Sequence, residues 1–438
     1  MEIITLLQSV SHLNSRKIGR QLIVIVEGML AMTGRVTMRG ISRWTGEGGS
    51  YRTIQRFFGS TILWTHMNFA LFLSGRYSKG DEIALAGDHT VVTKSGKQTH
   101  GIDYFFSSIS KKAVKGLEFF SLSLINHGRR ESSPLLLKQT IREKKKKTKK
   151  KQSSPEQKKP KRKRGRPKGS KNKNHRDVQL PTHLEQIKGY VESVMQMIGN
   201  RLSVKYLLLD GAFGNNNALQ MARRCHLHLI SKLRSDSGLY YPYQGKQKKK
   251  GAKRKYGDKV IFRKIDDAYL VKTIKDQHIE TRIYRLHAWH KKFPDLLNVA
   301  VLVRIDHQRG TVGHVVLFSS DLELDTERLV DWYSLRFQIE FNFRDAKQFW
   351  GLEDFMNVRE TQVTNAANLS LFMVNCSHAL AADLSDKGQP MSILDLKALY
   401  RGRKYAWEVL KCLPKPPERF LINQIFANLG ALGAINPS

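Results

Sequence analysis

Cysteine is scarce. Cys225, Cys376 and Cys412 are the only three in 438 residues, too few and too scattered for a disulfide framework or a paired Cys-x-x-Cys zinc site. "RRCHLHL" does bring Cys225, His226 and His228 close together, but the pattern predicts a strand there, and such residues then serve core and strand packing. Membrane-length apolar runs are missing too. The run "LIVIVEGMLAM" at residues 22–32 is too short to span a bilayer and carries Glu27, so it reads as a buried helix. No secretory signal is visible, and the expected location is cytoplasmic. Acid is also in short supply. Against 75 Lys and Arg stand 38 Asp and Glu, a formal charge of +37, which points to a polyanionic partner, most simply nucleic acid. Residues 141–175 hold 18 Lys/Arg and 2 Glu. Without them +21 remains, so the excess belongs to the whole chain.

What is present is ample core material, 40% hydrophobic residues, enough for two to four domains. Residues 1–75 read as helical. Within them "TMRGISRWTGEGGSYRTIQRFFGS" has the form of a helix, a Gly-rich turn and a second helix capped by Ser50. Tyr51, Arg52, Gln55 and Arg56 face solvent on that second helix, which suits a helix-turn-helix entering a major groove. A plain helical hairpin is the alternative.

From Glu82 the pattern turns to strands: "EIALAGDHTVV", "GIDYFFSS" and "GLEFFSLSLINH". The lysine-rich stretch 141–176 is too polar to pack and reads as disordered. A helix follows in "PTHLEQIKGYVESVMQMIGN", then strand, turn, helix and strand in "VKYLLLDGAFGNNNALQMARRCHLHLISKL". Residues 235–321 read mostly as strand, and "GKQKKKGAKRKYG" within them as a basic hairpin tip. Residues 360–438 read as further helices.

Three acids then fall on three separate elements: Asp88 on the first strand, Asp210 where a later strand ends, and Glu340 on the helix "DWYSLRFQIEFNFRDAKQFW". Along that helix Trp332, Leu335, Ile339, Phe343, Ala346 and Trp350 form an apolar stripe. Tyr333, Arg336, Glu340 and Lys347 share an arc of about 60° at its border, with Arg344 close by. Carboxylates converging from a sheet and a helix suit hard divalent cations, which take oxygen ligands and are often shared with substrate phosphates.

The order of elements looks like a ribonuclease H-like fold. The helix spells Y-x2-R-x3-E-x6-K with Tyr333, Arg336, Glu340 and Lys347, downstream of "GDHTVV" and "LLLDGAF". The chain therefore resembles the bacterial insertion-sequence transposases of the DDE class that bear the tyrosine–arginine–glutamate–lysine signature, over roughly residues 82–360. That resemblance implies an α/β, ribonuclease H-like mixed-sheet core with a β-rich insertion subdomain, flanked by helical N- and C-terminal regions. The division it implies is a DNA-binding domain at 1–75, a first part of the core at 76–234, the insertion at 235–321, the closing helix at 322–360 and C-terminal helices at 361–438.

By the same resemblance Asp88, Asp210 and Glu340 are the catalytic triad. They would hold two Mg²⁺ or Mn²⁺ ions that activate the attacking oxygen and stabilise the leaving one. Tyr333, Arg336, Lys347 and, beside them, Arg344 would grip DNA phosphates. Some relatives stack a flipped base on an insertion-domain tryptophan, and Trp289 is the only tryptophan in that segment. The basic stretch departs from the family's plan. It contains Gly165, Arg166 and Pro167, the core of an AT-hook, which would insert Arg164 and Arg166 into the minor groove of A·T-rich duplex; a plain polycationic tether is the alternative. The implied activity is cut-and-paste transposition, through hairpin ends, by a dimer on double-stranded DNA near the nucleoid. The rival readings are a nuclease or resolvase of the same fold and an architectural DNA-binding protein with a dead core.

Overall fold

Ser15, Thr37 and Ser50 each accept a backbone N–H from the first turn that follows, and so open helices. With them residues 3–75 form α1 (Ile3–Ser11), α2 (Arg16–Ala31), α3 (Met38–Trp44), α4 (Tyr51–Phe58) and α5 (Trp64–Gly75). On α4 Ile54, Phe57 and Phe58 are buried, while Tyr51, Arg52, Gln55 and Arg56 are exposed. The computed structural model describes residues 3–107, 110–142, 174–385, 391–415 and 417–432. The stretch Arg164–Pro167 therefore lies outside the described residues.

The core is a mixed sheet. Strands β1 (Ile83–Thr93), β2 (Asp103–Ser107), β3 (Lys112–Asn126) and β4 (Glu131–Thr140) come first, then α6 (Thr182–Ile198), β5 (Val204–Leu209), α7 (Asn216–Arg224) and β6 (His228–Leu233). β3 lies antiparallel between β1 and β4, and β5 and β6 run parallel beside β1. That is the ribonuclease H-like arrangement. Its third strand is β4, which the sequence pattern does not announce. β2 instead pairs only with Lys112–Gly116, the outer end of β3. The reason is visible in "ESSPLLLKQT". Pro134 cannot donate to a ladder, and prolines are confined to edges and bulges; β4 is an edge strand, with a register shift beside Pro134. Cys225 also departs from expectation. It closes α7, and His226 turns the chain with φ of 59°, so only His228 reaches the strand.

The sheet does not stop at β6. After β7 (Leu239–Pro242), β8 (Tyr256–Lys259), β9 (Leu270–Asp276), β10 (Ile279–His290) and β11 (Leu297–Asp306), β12 (Thr311–Ser319) pairs antiparallel with β6. The strands of 235–321 thus extend the core sheet. The basic residues 243–255 form the loop between β7 and β8, mostly exposed.

Among the described residues the helices that follow are α8 (Thr326–Leu335), α9 (Gln338–Gln348), α10 (Glu360–Ser385), α11 (Ile393–Leu410) and α12 (Arg419–Ala431). The single helix expected over Asp331–Trp350 is two helices. At the join the N–H groups of Phe337, Ile339 and Glu340 donate to carbonyls three residues back, at 3.1, 3.1 and 3.0 Å, a tightened turn of the 3-10 kind. The apolar stripe survives it. Trp332, Leu335, Ile339, Phe343, Ala346 and Trp350 are all buried, because so short a turn does not rotate them off the core.

Along β1 alternate residues feed two cores. Ala84 and Ala86 pack with α8, α9 and α10, whereas Ile83 and Leu85 pack with α6 and α7. The free edge of β4 is covered by amide side chains. Asn68 donates to the Leu135 carbonyl at 3.1 Å, Asn368 to Leu137 at 3.2 Å, and Asn375 to Pro134 at 2.7 Å. All three are buried, so removing one strands a desolvated carbonyl. Asn375→Ala is expected to lower stability by about 1–3 kcal/mol, read as a shifted urea midpoint. An unchanged midpoint would show that the edge needs no such partner.

Candidate active site

The register of β1 and β5 places two of the acids. Gly87 lies opposite Leu209 in this parallel pair, so the next residues, Asp88 and Asp210, leave neighbouring strands about 5 Å apart. Since Ala86 and Leu208 face the α9 side, alternation turns both carboxylates the same way. Gly87 faces the other side, where a Cβ would come within 2.7 Å of the Phe120 ring and 2.9 Å of Leu209. Beyond Asp210 the chain turns at once. The Asp210 Oδ1 accepts the Ala212 N–H at 3.2 Å, and Gly214 passes so close to β6 that a Cβ would meet the Lys232 carbonyl at 2.1 Å.

The tightened turn between α8 and α9 places the third acid and its neighbour. Arg336 reaches across the sheet, Nη1 donating to Asp88 Oδ2 at 2.7 Å and Nη2 to Glu340 Oε1 at 3.2 Å. The His89 N–H completes Asp88, donating to Oδ1 at 2.8 Å. The side chains of Arg336 and Asp88 are 13% and 18% exposed, that of Glu340 42%, so the pair at the centre is nearly buried and the glutamate opens to solvent. Asp88, Asp210, Glu340, Arg336, Arg344 and Lys347 all line one cleft of about 960 Å³. Tyr333 stands behind it, its ring 5.9 Å from the Arg336 guanidinium.

Burial first, and then neighbouring charge, shifts the protonation of these groups. Burial, and then the charge of Asp88, push the Asp210 carboxyl above the usual carboxylate range, against the pull of Arg336. Burial works against the Arg336 charge, but Asp88, Tyr333 and Glu340 outweigh it and raise its pKa. Burial likewise raises the Tyr333 phenol. The Arg336 guanidinium thus bonds two of the carboxylates and acts on the third through its charge. By type, these hard oxygen donors in an open cleft fit a divalent cation. Among the described residues no three acid, histidine or cysteine side chains stand ready to hold one as they are. The group between Asp88 and Glu340 is Arg336, which supplies the positive charge itself.

Other expected contacts are placed differently. Lys347 Nζ donates to the Val91 carbonyl at 3.0 Å and pairs with Glu353 at 3.5 Å, pinning α9 to β1. Arg344 lies 4.8 Å over the Phe341 ring and bonds Asp345. Trp289 is not among the cleft's walls. It sits half-buried on β10 with the Lys255 ammonium 4.8 Å from its ring and Tyr256 edge-on at 6.2 Å. The cleft also gathers residues that the spacing of motifs does not single out, among them His89, stacked on Phe213 at 6.0 Å, and Phe106. Only the adjacency of His89 to Asp88 could have drawn attention to either. A second depression, about 670 Å³ beside Trp64, offers less: the amides of Asn365 and Asn368 on its wall already donate to chain carbonyls.

Comparison with known families agrees with this geometry. The family described as DDE superfamily endonuclease matches residues 6–294, about two thirds of the chain. The match takes in Asp88 and Asp210 and ends before Glu340. No curated protein matches the chain. Among the described residues no helix is long and apolar enough to cross a membrane. With two aspartates set side by side by a parallel strand pair inside the matched region, and a glutamate brought to the same cleft from beyond it, the chain belongs to the DDE superfamily endonucleases, enzymes of nuclease and transposase type that act on DNA.

Proposed function

We propose that this protein is a DNA transposase of the insertion-sequence type with the tyrosine–arginine–glutamate–lysine signature, of bacterial origin. The observation that carries the reading is the convergence of Asp88, Asp210 and Glu340, from two strands and a helix, on one cleft shared with Arg336 and Lys347. The three acids would hold two Mg²⁺ or Mn²⁺ ions, which when bound supply charge stabilisation to the scissile phosphodiester. Arg336, Arg344, Lys347 and Tyr333 would bind the flanking phosphates and orient the strand. Water attacks phosphorus at the element's end and the bond to the 3′ oxygen breaks, leaving a 3′-hydroxyl. That hydroxyl then attacks a phosphorus of target DNA, joining the strands as the bond to the target's own 3′ oxygen breaks and that oxygen leaves as a hydroxyl. Release of the element through hairpin ends and a dimer on double-stranded DNA complete the cut-and-paste scheme, with residues 1–75 as a DNA-binding domain, 235–321 as the insertion subdomain between Asp210 and Glu340, and the protein working in the cytoplasm near the nucleoid.

The test is strand transfer. Purified protein with Mg²⁺ and linear DNA bearing the inverted repeats that flank its gene should cut at the repeat ends and join them to a second duplex. Cutting without joining would make the protein a nuclease or resolvase, and binding without either would make it architectural.

The basic stretch has its own expected outcome. Deleting residues 141–175 should weaken DNA binding broadly while cleavage stays detectable at low salt. Each phosphate neutralised adds about 0.9 to the log–log salt slope, so the slope should become shallower by several units. If the stretch works as an AT-hook, Arg166→Ala will cost more on A·T-rich than on G·C-rich duplex; equal loss on both would make it a tether.

A further inference from the structure

Arg344 reaches the cleft from α9 with 58% of its side chain exposed. A side chain so long and so open samples many rotamers unless something holds it. Here one edge of the guanidinium is held. Nε donates to Asp345 Oδ1 at 3.0 Å, Nη2 lies 2.9 Å from the same oxygen, and the Phe341 ring is 4.8 Å away. A guanidinium carries five N–H groups in a fixed fork, so an edge held by a carboxylate leaves others for a phosphate.

Asp345 is placed in its turn by a chain of buried groups. Its side chain is 4% exposed, and its second oxygen, Oδ2, lies 3.2 Å from His378 Nε2 on α10. The other ring nitrogen, Nδ1, is 3.3 Å from Nη1 of Arg76, just past α5. A guanidinium can only donate, so Nδ1 accepts and the ring's proton sits on Nε2, where it meets Asp345. Arg76 then donates from Nη2 to Glu131, on β4, at 2.6 Å. Two acids thus balance two guanidiniums, with the imidazole bridging them. Burial works against the Asp345 charge, but the bonds from His378 and Arg344 outweigh it and hold the carboxyl below the usual range.

Docking of α9 does not depend on this chain. The helix is already held by its buried apolar stripe, by Asn342 donating to Ser132 Oγ at 2.7 Å, and by Lys347 on the Val91 carbonyl. What the chain adds is a direction for Arg344. We propose that Asp345 and His378 are positioning residues that hold the Arg344 guanidinium ready for a phosphate of the bound DNA strand, so that binding need not order this side chain. This rests on the reading of the cleft as a DNA site and adds to it two residues that touch neither DNA nor cation. By charge alone, an acid beside a phosphate contact weakens DNA binding. As a positioning residue Asp345 strengthens it, so the two roles differ in sign.

The experiment is a double-substitution cycle on end DNA: Asp345→Asn, Arg344→Ala and both together, with cleavage and DNA binding measured well below the lowest melting temperature. Asp345→Asn should raise the Kd and the half-saturating DNA concentration about three- to tenfold, the scale of fixing one long side chain on binding, and move kcat far less. Arg344→Ala should raise them at least as much and make the log–log salt slope shallower by about 0.9, one phosphate. In the Arg344→Ala background Asp345→Asn should cost nothing more. His378→Leu should repeat the pattern of Asp345→Asn and serves in its place if that variant does not fold. His378→Gln, whose amide offers one donor and one acceptor, should keep most of the wild-type affinity. Tighter DNA binding by Asp345→Asn, or an equal further loss in the Arg344→Ala background, would overturn the positioning role and leave the transposase reading in place. A wild-type protein that neither binds nor cuts end DNA would overturn both.

Discussion

Glu340→Gln is expected to bind end DNA as well as the wild type does and to neither cut nor join it. The substitution keeps the size of a side chain that is 42% exposed and accepts one bond, from Arg336 at 3.2 Å. Its structural cost is small, because ion pairs open to solvent contribute about 0–1 kcal/mol. DNA affinity should not drop, since removing an acid beside phosphates cannot reduce their attraction to the protein. The chemistry is another matter. The lost charge is one of the three that would hold the cations, and removing a single preorganised electrostatic group already costs about 10²–10³ in rate. Cleavage by Glu340→Gln should therefore fall by at least about a thousandfold, and neither more DNA nor more Mg²⁺ should restore it. Labelled end DNA read on a gel, beside a filter-binding curve, checks both halves. Cutting at near wild-type rate would reduce Glu340 to a partner for Arg336.

Arg336→Ala should fail in the opposite sense and leave a mark on stability. In the structure this arginine bridges Asp88 and Glu340 at the centre of the site. Removing one partner of a nearly buried pair leaves an uncompensated charge, here worth roughly 3 kcal/mol, the low end of the range because the cleft is open to water. Without cation the variant should melt lower than the wild type. Cation should then restore it, because Asp88 and Glu340 no longer have a competing guanidinium, and a ligand that binds only the folded state stabilises it in proportion to the logarithm of its concentration over Kd. Mn²⁺ should thus bind Arg336→Ala more tightly than wild type, while end DNA binds about 1–3 kcal/mol more weakly for want of a charge-assisted phosphate contact. Residual cleavage should improve with DNA concentration. Weaker Mn²⁺ binding by the variant, measured by titration calorimetry without DNA, would show that the arginine helps assemble the site instead of standing in it.

Much of this was legible in the residues. Strand alternation and the Y-x2-R-x3-E-x6-K spacing located three acids that the fold brings to one cleft, and the apolar stripe from Trp332 to Trp350 was read correctly. The break at Arg336–Phe337 was not, because a wheel built on helical periodicity barely registers one tightened turn. Nor was β4, whose Pro134 argues against a strand unless the free edge on which it lies is already known. Spacing along the chain could not distinguish Arg336 as a phosphate clamp from Arg336 bonded to two acids, since both put the same atoms in the same place. Trp289 illustrates the converse. Being the only tryptophan in its segment says nothing about where the ring points, and here it lies under Lys255, away from the cleft's walls.

The asparagines over β4 also set a clock on synthesis. Asn375 reaches a carbonyl 241 residues earlier in the chain, and Asn368 one 231 residues earlier. At translation rates of about 5–20 residues per second, the edge of β4 leaves the ribosome roughly 10–50 s before the part of its cover that α10 supplies. Through that interval Asn68, on α5, and Pro134, with no N–H to offer, guard only part of a strand edge that another nascent chain could join. A message cut short after β12 would yield a product that keeps these strands but whose β4 edge lacks the cover of Asn368 and Asn375. Premature stops late in this gene should therefore produce aggregates and not merely inactive enzyme.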